Sequence, residues 1–517
     1  MPAGADKRER GLKVAISYPP LEGGPGVPLL SQNRQFQWFA SPTYIYPVVP
    51  AYAATMLKDD GFDVLWDDAI AKGLSYREWL SSIRKERPDV IAIETKTPVV
   101  KRHWEIIREI KGSEAGGWRP SVVLMGDHVT ALPEESMEKS PVDFVLTGGD
   151  YDFLLLNLMR SLRLEGRAPL RKDGLEPGIW LRDSEGPPSS TGPFRLDHSL
   201  ERLPKIDRAL TMWRLYSEKN GNFKRLPGTY TMAGRDCWWA GCTFCSWTTL
   251  YPRYRVRPPS SVLDEIGELI EVHGVREIMD DTGTFPTGEW LNEFSTGMIE
   301  RGYGERVLLD CNMRFGAVGK EELRLMKKAG FRLLLFGLES ANPKTLERLN
   351  KGVTMDEVMR TLRDARSSGL FPHVTIMFGY PWESPEDAMN TIRFGRHLLK
   401  KGLAWTVQAT VVMPYPGTPL FKYCRDEGLL KTLDWDDYDM RCPVMKTGLR
   451  NEETQRLVHK IYSTAFSPEF VIRRLLSLRD REDLKYFLRG GAKVFGHLMD
   501  FGWARNVKVN ERADYTV

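Results

Sequence analysis

The chain has 517 residues, 42% hydrophobic and 27% charged, with a formal net charge of +4 at pH 7. That length allows two or three domains, the composition is that of a folded globular protein, and so mild a charge gives no argument for a nucleic-acid partner. No apolar run is long enough to span a bilayer, Met1 to Leu12 lacks the apolar core of a signal peptide, and six cysteines make no disulfide framework in so long a chain, so a reducing cytoplasm is the expected setting.

From about Lys13 to Leu164, short apolar runs alternate with helical patterns. Val14–Ser17, Asp63–Trp66, Val90–Glu94, Val122–Met125 and Asp143–Thr147 read as strands. Tyr52–Leu57, Tyr76–Lys85, Arg102–Ile110 and Phe153–Leu162 read as helices. The alternation predicts an α/β fold with a doubly wound, Rossmann-like parallel sheet over residues 1–165. Such sheets bind ligands beyond the carboxyl ends of their strands. There the sequence places Tyr18-Pro19-Pro20, Thr95-Lys96-Thr97, Gly126-Asp127-His128 and Gly148-Gly149-Asp150. The glycines either let a bulky ligand approach the backbone or are ordinary turn residues. Residues 166–228 are rich in Gly, Pro and Arg and read as a linker, with Pro177 to Leu181 as a small hairpin.

The βα alternation resumes over residues 229–425. Tyr230–Ala233, Glu277–Met279, Val307–Asp310, Leu333–Phe336, Val374–Phe378 and Val407–Val412 read as the strands of a partial (β/α)6 barrel. The loop after the first strand is Cys237-Trp238-Trp239-Ala240-Gly241-Cys242-Thr243-Phe244-Cys245. Thiols this close read as ligands of one metal centre, and three without an obvious fourth predict an iron–sulfur cluster with one open iron. A structural zinc site would need a fourth ligand, and Cys311, Cys424 and Cys442 stand singly.

This loop resembles the signature of the radical S-adenosylmethionine (SAM) enzymes, Cys-x3-Cys-x2-Cys with an aromatic residue before the last cysteine. Phe244 takes the aromatic position, while Trp238 to Gly241 make a first gap of four residues where the family usually has three. The resemblance implies that Cys237, Cys242 and Cys245 hold a [4Fe-4S] cluster whose open iron binds SAM. The other strand ends agree in order. Asp280, Asp281 and Thr282 stand in a stretch similar to the family's Asp-Asp-x-Phe-Thr beside the methionine part of SAM, interrupted by Gly283. Arg314 ends an Asn-x-Arg and would pair either with the SAM carboxylate or with a neighbouring loop. Glu339 and Ser340 belong to a Gly-x-Glu-Ser whose acid bonds the ribose hydroxyls. Gly379 opens a Gly-x-Pro-x-Glu beside the adenine, and Pro416-Gly417-Thr418-Pro419 matches the family's turn after the sixth strand.

The N-terminal segment is similar to the cobalamin-binding domain that precedes many radical SAM cores. By that resemblance, cobalamin would meet Thr95, Gly126, Asp127, His128, Gly148 and Gly149. The chain lacks an Asp-x-His-x-x-Gly, so cobalamin would be held without a histidine below the cobalt; His128 is either a loop residue near the corrin edge or a cobalt ligand. The implied activity is that of a cobalamin-dependent C-methyltransferase. An electron from the cluster cleaves SAM, the deoxyadenosyl radical takes hydrogen from an unactivated carbon, and cobalamin supplies a methyl group. The alternative is a cyclase or rearrangement enzyme of the anaerobic magnesium-protoporphyrin ester cyclase type. A methylthio enzyme acting on tRNA lacks support, because the N-terminal domain has no cysteines for a second cluster. A non-catalytic metal or corrinoid carrier is the reading from another class. The expected partners are a small-molecule substrate, large and apolar (a lipid or tetrapyrrole), and an electron donor such as flavodoxin or ferredoxin.

Residues 426–517 read as a helical C-terminal region. Thr454–Phe466 and Phe470–Leu478 are amphipathic, and Arg473, Arg474, Arg479 and Arg481 make the second basic. Its charged face is either solvated or a peripheral contact with a membrane surface that delivers the substrate.

Overall fold

The computed structural model describes residues 11–24, 26–28, 30, 38–39, 43–112, 117–165, 170–182, 187–235 and 237–503. Most of the N-terminal segment read for a signal core lies outside the described residues. The chain forms two compact units, one of Met1–Gly23 with Pro47–Leu215, the other of Gly24–Tyr46 with Tyr216–Val517.

In the first unit, β1 (Lys13–Tyr18), β2 (Asp63–Asp68), β3 (Val90–Glu94), β4 (Ser121–Met125) and β5 (Phe144–Leu146) lie in the order 2-1-3-4-5. All pair in parallel. β3 is buried along its whole length, as its uninterrupted apolar run requires of a strand covered on both faces. The helices α1 (Val48–Asp59), α2 (Tyr76–Glu86), α3 (Val100–Gly112), α4 (Asp127–Ala131), α5 (Pro133–Lys139) and α6 (Tyr151–Glu165) connect or follow the strands. α2 starts sharply because Ser75 accepts from the Glu78 N–H while the Glu78 carboxylate accepts from the Ser75 N–H.

Of the segment read as a linker, the part up to Leu215 belongs to this unit and the part from Tyr216 to the other. β6 (Ile179–Leu181) pairs antiparallel with β5, and β7 (Ser189–Ser190) pairs antiparallel with β6. The hairpin expected there thus extends the sheet, covering an edge that would otherwise expose unpaired backbone.

The second unit contains a sheet of six parallel strands in sequential order: β8 (Gly228–Thr231), β9 (Glu277–Asp280), β10 (Leu308–Met313), β11 (Phe331–Glu339), β12 (Phe371–Phe378) and β13 (Thr406–Val411). The helices α7 (Pro259–Glu271), α8 (Glu289–Glu300), α9 (Lys320–Lys328), α10 (Met355–Ser367) and α11 (Pro385–Lys401) lie between them. This is the partial (β/α)6 barrel expected from the sequence. Near its amino-terminal floor the buried Arg332 guanidinium bonds Glu277, at 2.8 Å, and Asp310, tying β9, β10 and β11 together. α12 (Pro419–Asp426), α13 (Asn451–Tyr462), α14 (Pro468–Leu476) and α15 (Arg481–Trp503) follow. Among the described residues, no helix is long and apolar enough to cross a membrane.

Candidate active site

The cysteine loop leaves the carboxyl end of β8, and a two-residue ladder of Gly234–Arg235 with Arg255–Val256 flanks it. All six cysteines are free; Cys237, Cys242 and Cys245 are partly exposed, while Cys311, Cys424 and Cys442 are buried. Cys237 Sγ lies 2.9 Å from Thr284 Oγ1, on the loop after β9. Burial raises the Cys242 thiol, opposed by the nearby Lys351 ammonium. Burial pushes Cys245 up to about 12, with Cys242 and Cys237 adding to the rise. Among the described residues, no group of three His, Cys, Asp or Glu side chains converges on one ion. A four-iron cluster does not need such convergence, since each thiolate binds a different iron. Three free thiols on one loop at the barrel's chemical end fit that group.

The four-residue first gap is fixed by residues that follow β11. Ala240 takes a left-handed conformation, φ 48°. Trp239 Nε1 donates to the Asn350 carbonyl at 2.8 Å, and Asn350 Nδ2 donates to the Gly241 carbonyl at 2.9 Å. The Arg314 guanidinium lies over Trp239, 4.0 Å from its ring centroid, and 5.6 Å from that of Trp238. It also donates to the Lys351 carbonyl at 2.6 Å. Gly352, at φ 62°, has no room for a side chain: a Cβ there would sit 2.4 Å from the Trp239 ring. Arg314 is therefore turned onto the cysteine loop and the backbone after β11.

Beside this loop, Lys351 Nζ donates to Glu339 Oε1 at 2.8 Å, with both side chains buried. Burial depresses the Lys351 ammonium, but Glu339 and Cys242 outweigh it and the net shift is upward. Glu339 sits at φ 71°, a conformation that non-glycine residues adopt at a cost and that recurs at functional sites. Ser340 Oγ donates to Glu383 Oε1 at 2.8 Å, as do Asn342 Nδ2 at 3.0 Å and Thr345 Oγ1 at 2.7 Å. Glu383 Oε2 and the Tyr380 hydroxyl are buried without a hydrogen-bond partner, which leaves two polar atoms for a polar ligand beside β12. Gly379, at φ 95°, keeps that strand end open: a Cβ there would touch only Val411 and Pro443, at 3.6 and 3.9 Å.

The residues after β9 have a different task. Asp280 accepts from the Ala233 N–H at 2.8 Å, the Thr231 hydroxyl at 3.1 Å and the Thr282 N–H at 3.1 Å. Thr282 Oγ1 accepts from the Gly234 N–H at 2.9 Å, and the Asp281 N–H donates to the Thr231 carbonyl at 2.8 Å. These side chains and amides set the path by which the chain enters the cysteine loop. Phe244 holds its ring 5.8 Å from Lys351 Nζ. Lys351 and Asn350 escaped the sequence reading; the left-handed Asn350 and Gly352 that flank Lys351 are the local signal of a constrained turn.

In the first unit the strand-end residues are packed against their own chain. Gly126, at φ 121°, faces Thr95, whose carbonyl a Cβ would meet at 2.3 Å. Gly148, at φ 82°, faces the Phe194 ring, which a Cβ would meet at 2.5 Å. Gly149 is buried beside it. Asp127 lies 3.6 Å from Lys96 Nζ. His128 is not in a loop: it belongs to α4, is 1% exposed, and has Nδ1 at 3.2 Å from Thr97 Oγ1 and Nε2 at 3.2 Å from Glu135. Both ring nitrogens are engaged, so neither is offered to a metal. The strand order changes direction between β1 and β3, the place where such sheets take ligands. There the buried Tyr18 hydroxyl donates to Glu94, and Tyr151 donates to the same carboxylate at 3.4 Å.

Residues 233–395 match the model of the Radical SAM superfamily. A protein of Pyrococcus horikoshii named as an uncharacterized methyltransferase is 26% identical over 457 residues, 87% of this chain and 94% of that one. The anaerobic magnesium-protoporphyrin IX monomethyl ester cyclase of Cereibacter sphaeroides is 27% identical over 412 residues, 77% of this chain and 63% of its own length. The structure of TsrM from Kitasatospora setae, a radical SAM methyltransferase with cobalamin and a [4Fe-4S] cluster bound, superposes with a TM-score of 0.64 at 16% identity, covering 94% of this chain and 99% of TsrM. That likeness establishes a shared fold. Residues 233–395, which include the cysteine loop that leaves the first strand of the partial barrel, thus form a domain that matches the Radical SAM superfamily.

Proposed function

We propose that the protein is a cobalamin-dependent C-methyltransferase that acts on an unactivated carbon. The observation that carries this reading is the pairing of the cysteine-loop barrel with a doubly wound 2-1-3-4-5 sheet, in a chain that spans nearly the whole of a relative named a methyltransferase. Cys237, Cys242 and Cys245 would hold the [4Fe-4S] cluster, which supplies the electron that cleaves SAM. Lys351 holds the Glu339 carboxyl in place at the end of β11, where it would accept from ribose hydroxyls. Glu383 and Tyr380 offer their unpaired atoms to the adenosine. Arg314 fixes the cysteine loop. Cobalamin would lie at the carboxyl ends of the first unit's strands, held by shape and backbone, because His128 has no free nitrogen for cobalt.

The partners that follow are a small-molecule substrate, large and apolar, and a one-electron donor of the flavodoxin or ferredoxin kind. The basic C-terminal helices are where a membrane surface would be met. A cyclase of the magnesium-protoporphyrin type is the second reading, favoured by the 27% identity to that enzyme.

The test is anaerobic. The protein is rebuilt with its cluster, offered hydroxocobalamin, freed of excess and examined by visible spectroscopy, then given SAM with a labelled methyl group. Stoichiometric cobalamin in a base-off form and label in the product support methyl transfer. A loss of all cobalamin with an intact iron–sulfur spectrum removes it. C242A should stay folded and lose both cluster and SAM cleavage; cleavage persisting in that variant defeats the cluster assignment.

A further inference from the structure

At the amino-terminal end of the barrel strands, away from the cysteine loop, α14, α15 and the strand starts enclose a cavity of about 800 Å³. Leu308, Phe371 and Thr406, at the beginnings of β10, β12 and β13, form part of its wall. Ten lysines and arginines line it with two carboxylates, Glu305 and Asp483; Lys224, Arg225, Arg276, Arg306 and Arg332 are already paired with carboxylates in or beside it. Asp483 is already held by Lys224 at 2.9 Å and Arg225 at 2.7 Å.

Several of those cations have no carboxylate partner among the described residues. Arg474 is 8% exposed, lies over the Trp405 ring at 3.2 Å, and donates only to the Trp405 carbonyl. Arg366 donates to the Leu370 carbonyl at 3.1 Å, and Arg473 to the Leu399 carbonyl at 2.9 Å and the Lys400 carbonyl at 2.5 Å. Burial pulls the Arg474 guanidinium down from its usual range, and Arg366, Arg332 and Arg473 add to that, with Tyr486 opposing. Arg474 is buried and Arg366 and Arg473 beside it are half-buried, and an anion that joined them would offset their mutual repulsion.

Exposed apolar side chains border the cavity. Leu476 and Phe466 line it and are 82% and 54% exposed. On α14, Ile472, Leu475 and Leu476 are exposed at helical spacing, and on α15 so are Leu484, Leu488 and Phe495. Each set falls on one face of its helix. Cations recessed behind an exposed apolar stripe match an anionic lipid surface, with acyl chains against the leucines and headgroups at the arginines.

We propose that this floor of the barrel is a site for anionic phospholipid, by which the enzyme binds the surface of a membrane. It extends the membrane reading of the C-terminal helices from substrate delivery to attachment. The cavity lies at the opposite ends of the strands from Cys237, Cys242 and Cys245, so this face attaches the enzyme and leaves the catalytic end of the barrel turned away from the lipid.

The test is flotation of the full chain with vesicles of phosphatidylcholine alone, or of phosphatidylcholine with phosphatidylglycerol, at low and high salt. The protein should float with the anionic vesicles at least about tenfold better than with the neutral ones, and salt should weaken that binding. L476D/L488D, which alters exposed positions only, should stay folded and lose the binding. Equal recovery with both vesicles, no flotation, or unchanged binding by L476D/L488D would overturn the proposal. So would self-association that this variant abolishes without vesicle binding, or thermal stabilisation by inorganic phosphate in a protein that ignores vesicles. None of these readouts needs cluster, SAM or cobalamin, so failure here leaves the radical chemistry untouched, and failure of the methyl-transfer test leaves this one standing.

Discussion

The Arg314 guanidinium lies 4.0 Å from the centroid of the Trp239 ring while donating to the Lys351 carbonyl at 2.6 Å. One side chain thus joins the widened first gap of the cysteine loop to the turn after β11. A lysine would keep the charge but lose the planar stack and the directed fork. R314K should lower the iron and sulfide bound per chain after anaerobic reconstitution, and R314A should lower them further, with loss of SAM cleavage in proportion. Full cluster content in R314A would show that the loop holds its shape without this clamp.

Lys351 and Glu339 form a buried ion pair beside Cys242. Removing one partner strands the other in a poor solvent, at a cost of about 3–5 kcal/mol. K351M should therefore lower the unfolding midpoint of the cluster-free protein markedly, and K351M/E339Q should recover part of it. E339Q alone should weaken SAM binding by an order of magnitude or more, since the amide cannot accept two ribose hydroxyls as the carboxylate does. Isothermal titration with SAM and thermal melts of the four proteins separate the structural cost from the binding one.

His198 bridges Asp150 at 3.1 Å and Glu176 at 2.8 Å and stacks on Phe153. Burial works against its charge, but the two carboxylates outweigh burial and raise it to about 9. A folded value above the ordinary one means the charged ring is preferred in the folded state. Its contribution is complete below about pH 6.5 and is lost as pH rises through about 9. After solvent screening we expect about 1–2 kcal/mol. Urea unfolding across that range should show the decline in the native protein and a flatter profile in H198Q.

Gly126 combines φ 121° with a Cβ position 2.3 Å from the Thr95 carbonyl. Both the conformation and the space exclude a side chain, so G126A should cost at least about 2 kcal/mol. The same variant reports on cobalamin. A shifted β4 end should reduce the cobalamin retained after gel filtration, and unchanged retention in a measurably destabilised protein would place the corrin away from this turn.

The parallel strands were legible because they carry short apolar runs; Val90–Glu94, buried along its whole length, is the clearest. The antiparallel addition of Ile179–Leu181 to β5 was not, because pairing with a sheet edge leaves no mark in the added segment itself. α15 was read only as part of the helical C-terminal region, without bounds of its own, since Gly490-Gly491 interrupts its helical pattern while its contacts with the rest of the unit, such as Arg489 with the Phe223 carbonyl, lie far away in sequence. In the site, the cysteines and strand-end motifs carry their own spacing. Lys351 could not be found that way: it meets Glu339 by a return of the chain through a short helix, Pro343–Arg348, and only the folded turn brings the two together. For His128 the sequence left loop residue and cobalt ligand both open, because a lone histidine near a strand end does not disclose that Thr97 and Glu135 engage both its nitrogens.

The grouping of Gly24–Tyr46 with Tyr216–Val517 has a consequence for how the molecule is made. On the ribosome this segment emerges long before its companions, among them Tyr216, whose ring meets Tyr46 at 5.2 Å, and Asn220, which donates to the Tyr44 carbonyl at 2.9 Å. The Rossmann-like unit must therefore fold while the partners of this segment have yet to be translated, and long-range closures of this kind come late. Severing the chain near residue 215 would leave neither product whole: the front piece would carry an orphaned segment and the rear piece would lack it. Nascent chains stalled before Tyr216 should present that segment to proteases and chaperones, and release from the ribosome should remove it from their reach.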